Sequence, residues 1–360
     1  MKYFSTFSGI GGFEIGIQNA FETSRLLQRV NNQSSKANNS QPIRTQPLCI
    51  GYSEIDKYAS SVYEHHFKGA KNYGDITKIN AEELPDFDCL VGGFPCQAFS
   101  VAGKRGGFND TRGTLFFDLA RILRAKQPRY FVFENVKGLL SHDQGRTFAT
   151  IISTIDELGY DCQWQVLNSK NFGVPQNRER IIIVGHIRET PRPEVFPIGA
   201  ADKEDTRVVG QDVAYTIDAN YHKGTNTLEK SRRSIVALTE TRTEEAKKIR
   251  RESMKNGRDW SPRRGKVLKA RNDGIGNTVT AAHGKEHMLT DGVKIRRLTP
   301  LECERLQAFP DNWTKYGRDG ELISDTQRYK MCGNAVTTNV VQAVFEKIFN
   351  SQKEESNDQL

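Results

Sequence analysis

The chain lacks the features that would mark a membrane, secreted or zinc-binding protein. No apolar run approaches the roughly 20 residues of a membrane span, and the first residues lack the apolar core and cleavage site of a signal peptide. The six cysteines include no C-x-x-C pair, which argues against a zinc site and against a disulfide framework. We therefore expect no metal, no membrane partner and a reducing, cytoplasmic location.

Positive charge is present in excess, and it is concentrated in one segment. The chain carries a formal net charge of +8. Between Ala246 and Arg271 there are eleven lysines and arginines against only Glu252 and Asp259, so this segment alone carries +9. Such a run is most often a solvated face, but Trp260 and several glycines accompany it here. We interpret the segment as a contact for a polyanion.

Short apolar strands alternate with helical stretches over residues 1–186, which predicts an α/β fold with a parallel, doubly wound sheet. The polar stretch 28–47 is typical of a surface loop, and the proline-rich run 191–197 of a linker. From there to residue 293 the sequence predicts irregular structure. The predicted strands are Lys2–Phe7, Leu48–Ser53, Cys89–Val91, Tyr130–Glu134, Trp164–Asn168 and Arg180–Gly185, and the predicted helices are Thr114–Lys126, Gly145–Leu158, Leu298–Phe309 and Asn339–Phe349.

The residues that follow the first two predicted strands favour a nucleoside ligand that has no phosphates. Strand one leads into the glycine-rich run Phe7–Phe13, and an acid, Glu54, follows strand two, where nucleotide folds bind ribose hydroxyls. Asp75 lies in a third turn. Because no lysine stands in a phosphate-binding loop, a triphosphate is not expected, and S-adenosylmethionine suits the acids and glycines better.

Later strand ends add a thiol, a carboxylate and two guanidiniums. Cys96 follows a strand and precedes a glycine-rich loop, so it is a candidate nucleophile as well as a candidate buried hydrophobe. Glu134 ends the fourth strand, while Arg178 and Arg180 precede the sixth. Each alone is more often structural, but together they form a constellation that predicts an active site.

In this order the motifs resemble those of the bacterial-type DNA (cytosine-5)-methyltransferase family. The resemblance also rests on the helix motif beginning at Arg297-Leu298-Thr299-Pro300 and on Gly333-Asn334-Ala335-Val336, and it covers about residues 1–186 and 294–349. It implies a Rossmann-like, S-adenosylmethionine-dependent methyltransferase sheet with a second, smaller, irregular DNA-recognition domain. The implied catalytic residues are Cys96, Glu134, Arg178 and Arg180, and the implied cofactor-binding residues are Phe7, Ser8, Gly9, Gly11, Gly12, Phe13, Glu54, Ile55, Asp75, Ile76, Pro95, Asn334 and Val336.

The resemblance further implies methyl transfer to carbon 5 of a flipped-out cytosine in duplex DNA. Residues 1–190 and 325–360 would form the catalytic domain, 191–293 the target recognition domain and 294–324 the connecting hinge and helix. Thr278-Val279 would form the specificity core, with Thr216-Ile217 as the rival. The expected DNA contacts are Lys104, Arg105, Arg112, Arg263, Arg264, Lys266, Thr278 and Val279.

One position departs from the family pattern. Family members often carry serine or threonine near the position that the flipped base vacates, where this chain has Ala102. The candidates for the side chain that fills this space lie within Ser261–Lys266. The competing interpretations are an RNA cytosine-5 methyltransferase of the same fold and a catalytically inactive DNA-binding regulator. We expect a monomer from a restriction-modification system with a separate endonuclease, or an orphan or phage methylase.

Overall fold

A six-stranded sheet organises most of the chain in the computed structural model, which describes residues 1–34, 46–95, 115–188, 190, 193–199, 236–255, 266–270, 288–290 and 295–357. Its strand order is β2-β1-β3-β4-β6-β5. All six predicted strands are confirmed, with bounds shifted by a few residues. They are β1 (Lys2–Thr6), β2 (Leu48–Ser53), β3 (Cys89–Gly93), β4 (Tyr130–Val136), β5 (Tyr160–Asn168) and β6 (Glu179–Ile187).

The prediction of an all-parallel sheet is wrong for one strand. β1 to β4 pair in parallel, whereas β6 lies between β4 and β5 and runs antiparallel to both. The cause is the connection from β5 to β6. Residues 169–178 contain only a short 3-10 turn, and a parallel connection needs a crossover of a dozen or more residues.

Eight helices are described in the chain. They are α1 (Gly12–Ser34), α2 (Lys57–His66), α3 (Leu115–Lys126), α4 (Arg146–Glu157), α5 (Glu244–Lys255), α6 (Pro300–Leu306), α7 (Asp325–Asn334) and α8 (Thr338–Asn357). Among the described residues, no helix is long and apolar enough to cross a membrane.

Several helices differ from the prediction. α1 continues to Ser34, so the loop predicted over residues 28–47 begins later, and residues 35–45 lie outside the described part. α6 is shorter than predicted, and Thr299 caps it in a capping box with Glu302. α7 was not predicted, because its sequence shows little amphipathic pattern.

The sheet is buried on both faces because apolar residues occupy successive positions along its strands. Tyr3, Cys89 and Tyr130 face α1 and α8, whereas their neighbours Phe4 and Leu90 face the other way, towards α3 and α4. Side chains alternate between the two sides of a strand. Each strand therefore contributes to two separate apolar clusters.

The run predicted to be a linker packs against the edge strand β5. Gln163 and Gln165 each hold it with a donor and an acceptor: Gln163 contacts the Pro193 carbonyl (2.6 Å) and the Phe196 N–H (3.2 Å), and Gln165 contacts both backbone groups of Ile198 (3.1 and 2.8 Å). Side chains two residues apart in a strand lie on one face of the sheet, so residues 193–199 are held against that face of β5, where Val195 and Ile198 join the apolar cluster.

Part of the region predicted to be irregular forms a second, antiparallel sheet. Its strands are β7 (Val236–Arg242), β8 (Lys266–Ala270), β9 (Met288–Thr290) and β10 (Ile295–Arg297), in the order β10-β9-β7-β8. α5 connects β7 to β8 and buries Ala246. This ordered sheet corrects the expectation of irregular structure for those residues.

A carboxyl group lies inside the cluster between α1 and the sheet. Glu14 is completely buried, and its Oε1 accepts a hydrogen bond from the Tyr63 hydroxyl (3.0 Å). Burial raises the pKa of Glu14, although hydrogen bonds act in the opposite direction. A carboxyl whose pKa is raised by folding contributes stability that is complete below its unfolded pKa and is lost as pH rises through its folded pKa.

Replacement of Glu14 by glutamine should therefore flatten the pH dependence of stability. From pH 4 to pH 8 we expect the free energy of unfolding of the wild type to fall by about 1 kcal/mol or more, compared with its change in Glu14→Gln over the same range. Urea denaturation at both pH values measures this difference. Glu22→Gln, on an exposed position of the same helix, is the control, and a wild-type pH profile parallel to that of Glu14→Gln would contradict the interpretation.

Candidate active site

The loop between β1 and α1 adopts backbone conformations that favour glycine. Gly9 and Gly11 have φ values of +55° and +88°, a region that side chains disfavour. A Cβ atom at Gly11 would overlap the ring of Phe67. Phe7 itself has φ of +50°, an uncommon conformation for a residue with a side chain. The glycines accommodate the shape of the loop, and Phe7 is held in a strained conformation of the kind that is often found at binding sites.

Glu54 connects this loop to the end of β2. Its Oε2 accepts the Gly9 N–H (2.8 Å) and its Oε1 accepts the Asp56 N–H (2.7 Å). Burial raises the pKa of Glu54, and these two backbone donors oppose the shift. The next side chain, Ile55, is 76% exposed. An apolar side chain left open beside a carboxylate fits a ligand that has both an apolar ring and hydroxyl groups.

The turn after α2 is tied to β2 and presents a second acid. The Ser53 hydroxyl donates to the Gly74 carbonyl (2.6 Å). Asp75 accepts hydrogen bonds from the hydroxyl and the N–H of Thr77, which lower the pKa of Asp75. Ile76, by contrast, is only 3% exposed and belongs to the apolar core.

The junction of α7 and α8 lies against the glycine loop. A Cβ atom at Gly12 would lie 2.7 Å from Val336 Cγ1, so only glycine permits this approach. Asn334 is exposed. On the same helix, Lys330 forms an ion pair with Asp56 (2.6 Å). The last motif is therefore fixed to both the β1 and β2 loops.

Glu134 and Arg180 form a mostly buried ion pair where β4 and β6 lie side by side. Arg180 Nε lies 2.8 Å from Glu134 Oε1, and their side chains are 17% and 12% exposed. Gly93 pairs with Glu134 across β3 and β4, and a Cβ atom there would lie 3.0 Å from Glu134 Oε2. Asn135 donates to the Phe94 carbonyl (2.9 Å). The carboxylate is thus oriented, with glycine leaving space beside its second oxygen.

Arg178 occupies a different environment from Arg180. It is buried, and its guanidinium donates to the carbonyls of Gly333 (3.2 Å) and Ala335 (2.7 Å). Burial lowers the pKa of Arg178 to about 9; the charge of Arg180 adds to this shift and Glu134 opposes it. These contacts give Arg178 the geometry of a clamp on the α7–α8 junction.

The other predicted site residues lie at or beyond the boundaries of the described part. Pro95 is exposed, next to the boundary of the described part, and Lys266 begins β8. The specificity rival Thr216-Ile217 and the departure at Ala102 lie beyond the described residues. So do Cys96, Lys104, Arg105, Arg112, Arg263, Arg264, Thr278 and Val279.

Three residues that shape the edge of the sheet beside the β1 and β2 loops were not predicted from the sequence. Asn72 lies two residues before Gly74 and bonds to the Glu54 backbone; the N-x-G spacing of a turn could have indicated it. Lys330 lies one helical turn before Asn334. Trp313 donates to the Ile10 carbonyl (2.8 Å) across three hundred residues, and no local pattern signals that contact.

The fold defines the class: this is an α/β protein with the methyltransferase fold. The crystal structure of S. pombe Dnmt2 methyltransferase is similar, with a TM-score of 0.61 and 16% identity over 97% of this chain and 98% of that one. At this identity the likeness concerns the fold alone.

The sequence comparison defines the family. The sequence model of C-5 cytosine-specific DNA methylases matches residues 1–350, and the chain belongs to that family, so it is a DNA cytosine-5 methyltransferase. The Type II methyltransferase M1.ScrFI of Lactococcus lactis subsp. cremoris is 40% identical over 82% of this chain and 70% of its own length. The orphan methyltransferase M.SPRI of Bacillus phage SPR is 32% identical over 98% of both chains.

The Arg178 clamp predicts a specific sensitivity to lysine. Lysine keeps the charge but replaces a planar fork by one amine, so Arg178→Lys should lose bonds to buried carbonyls and about 2–4 kcal/mol of unfolding free energy. Urea denaturation measures the loss. The control is Arg188→Lys, whose exposed ion pairs with Asp156 and Asp161 should contribute much less to stability. Equal losses in the two variants would contradict the clamp.

Proposed function

We propose that the enzyme methylates carbon 5 of a flipped-out cytosine in a specific short duplex DNA sequence, with S-adenosylmethionine as donor and Cys96 as nucleophile. One observation carries the proposal. The Glu134–Arg180 pair lies where β4 ends and β6 begins, and the Gly9–Glu54 contact lies where β1 and β2 end, so both occupy the same edge of one sheet, with β3 between the two strand pairs. A base-binding pair and a nucleoside-binding acid are thus presented from one scaffold.

The residues at the ends of β1 and β2 fit the donor. Glu54 would accept the ribose hydroxyls, exposed Ile55 would cover a face of the adenine, and Asp75 would meet its polar edge. The loop Phe7–Phe13 and Val336 would enclose the remainder. When bound, S-adenosylmethionine supplies an electrophilic methyl group on a sulfonium sulfur.

Cys96 is favoured as the nucleophile by the state of the other thiols. Burial raises the pKa of Cys49 and Cys303 to about 12 and that of Cys162 to about 11. It also raises the pKa of Cys89 and Cys332. A raised pKa disfavours the thiolate in all five, so they are poor candidates for the nucleophile. Cys96 follows Pro95 directly in the sequence, and Asn135 anchors the nearby Phe94 carbonyl.

The covalent step explains why a thiol is needed. Cytosine carbon 5 is a poor nucleophile. Addition of the Cys96 thiolate to carbon 6 would form a carbon–sulfur bond and make carbon 5 electron-rich. Carbon 5 would then take the methyl group as the bond from that group to the donor sulfur breaks, and the donor would leave as a neutral thioether. Loss of the carbon 5 proton then expels the thiolate and restores the ring.

Glu134 and Arg180 would hold the base during these steps. Glu134 contacts ring nitrogen 3 and the exocyclic amine, which favours the adduct, and Arg180 contacts the base oxygen. Arg178 acts through its clamp on the α7–α8 junction. A base stacked within a duplex cannot reach these groups, so it is flipped out of the helix.

DNA binding is proposed for the basic segment and the recognition region. α5 exposes Lys248, Arg251 and Lys255, which lie at helical spacing on one face and suit DNA phosphates; such contacts would weaken steeply with salt. Residues 191–293 are proposed as the target recognition region, and its first residues, Val195 and Ile198, pack on the core of the main sheet. Residues 1–190 and 325–360 would carry catalysis, and 294–324 the connection.

The named relatives favour a role in DNA modification. Type II and orphan phage methyltransferases are both among them. We propose that this enzyme acts as a monomer in the cytoplasm, either as the protective partner of a separate restriction endonuclease or as an orphan methylase.

Replacement of Cys96 by serine tests the nucleophile. Cys96→Ser should abolish incorporation of labelled methyl groups from S-adenosylmethionine into duplex DNA but leave DNA binding intact. DNA with 5-fluorocytosine at the target should trap a covalent adduct with the wild type alone, since fluorine cannot leave as a proton does. Cys162→Ser, on β5, is the control and should keep activity. Near-normal turnover by Cys96→Ser would exclude the mechanism.

The same assay examines the base contact and the substrate class. Glu134→Gln keeps the shape but loses the titratable group, so the rate should fall roughly 10²-fold, within the range of acid–base contributions. An unchanged rate would make Glu134 structural. Methyl incorporation into RNA alone would refute duplex DNA as the substrate.

A graft tests the recognition region. Residues 191–293 placed in a relative with another target should transfer this enzyme's methylated sequence to the hybrid, as mapped by sequencing of modified cytosines. Within the graft, Thr278→Ala should disturb specificity more than Thr216→Ala. A hybrid that is active but keeps the relative's own target would overturn the assignment.

A further inference from the structure

One amide side chain lies between the two segments proposed to hold the ribose and the adenine. Asn72 is half-buried, and its backbone forms a parallel bridge with Tyr52 of β2. Its Oδ1 accepts the N–H groups of Glu54 (3.2 Å) and Gly74 (2.8 Å). Its Nδ2 donates to the Glu54 carbonyl (3.1 Å) and the Ser60 hydroxyl (2.9 Å).

These four contacts use the full capacity of the side chain. A primary amide has two donors and one oxygen with two acceptor positions, and Asn72 engages all of them. Two backbone N–H groups converge on one atom, which must therefore be the oxygen. The side chain has a single orientation, so it acts as a rigid spacer between the backbones of Glu54 and Gly74.

Both ends of the spacer lead to proposed cofactor residues. The Glu54 backbone carries the carboxylate that accepts the Gly9 N–H. Gly74, with φ of +69°, directly precedes Asp75. The Ser53–Gly74 contact joins the same two segments but leaves the N–H groups of Glu54 and Gly74 unfixed. Asn72 is the side chain that bonds to both of these backbones.

We propose that Asn72 is a positioning residue that sets the spacing between Glu54 and the Asp75 turn, and thereby the affinity for the adenosine part of the donor. This inference rests on the proposed function, because it presupposes a nucleoside at this edge. It assigns no contact with the reacting atoms. Loss of Asn72 should consequently weaken donor binding while leaving methyl transfer at saturating donor unchanged.

Calorimetry with S-adenosylhomocysteine and steady-state kinetics test the role. Asn72→Ala should weaken binding roughly 10-fold, equivalent to one or two lost hydrogen bonds, and raise KM for the donor similarly with kcat and DNA affinity preserved. Asn80→Ala is the control: Asn80 also caps a short turn through its amide, bonding to Glu82 and Glu83, but contacts neither cofactor segment. Equal binding by wild type and Asn72→Ala, or a lower kcat with unchanged KM, would overturn the role.

Two further measurements separate positioning from general damage. Asn72→Asp keeps the acceptor for both N–H groups. Its affinity for S-adenosylhomocysteine should therefore lie between that of the wild type and that of Asn72→Ala. If Asn72 acts through Glu54, the variant that carries both Asn72→Ala and Glu54→Ala should bind S-adenosylhomocysteine more tightly than the product of the two single-variant losses of affinity predicts. A loss of affinity in the double variant that equals the product of the two single losses would refute that coupling. Failure of the wild type itself to bind would refute the donor assignment, and the role of Asn72 with it.

Discussion

A buried guanidinium joins the late part of the chain to the main sheet. Arg178 stands just before β6, and the carbonyls that it binds belong to Gly333 and Ala335, at the end of α7. A guanidinium deprived of water needs such partners, since an unpaired charge is costly to bury. The position of Val336 beside Gly12, and hence the enclosure of the glycine loop, depends on this clamp.

The packing of α8 on α1 completes the same arrangement. Gly16 lies so close to Val341 that a Cβ atom would lie 2.5 Å from its Cβ, and apolar residues of both helices share one cluster with the sheet. Close helix contact at a glycine fixes the approach of the two helices. The family's separated first and last motifs thus become neighbours through one polar clamp and one small-residue contact.

Carboxyl groups that are shielded from water in this molecule have different hydrogen-bonding partners. Glu304 is fully buried but paired with Arg328 (3.0 Å) and the Thr314 N–H (2.9 Å), which holds α6 to α7. Glu14 has a tyrosine hydroxyl in place of a cation, so burial acts on its pKa without an ion pair. Glu54 lies between these cases, with two backbone donors and an edge open to a ligand.

The sequence by itself determined the six strands, the family and the residue types at the strand ends, because apolar runs and glycine turns are local signals. It did not reveal the reversed β6, the cover on β5, or the different environments of Arg178 and Arg180, two positions apart in one motif. Residues 178 and 180 diverge because one meets the carbonyls of α7 and the other meets Glu134. Those partners come from distant parts of the chain, and only tertiary packing decides which side chain each one meets.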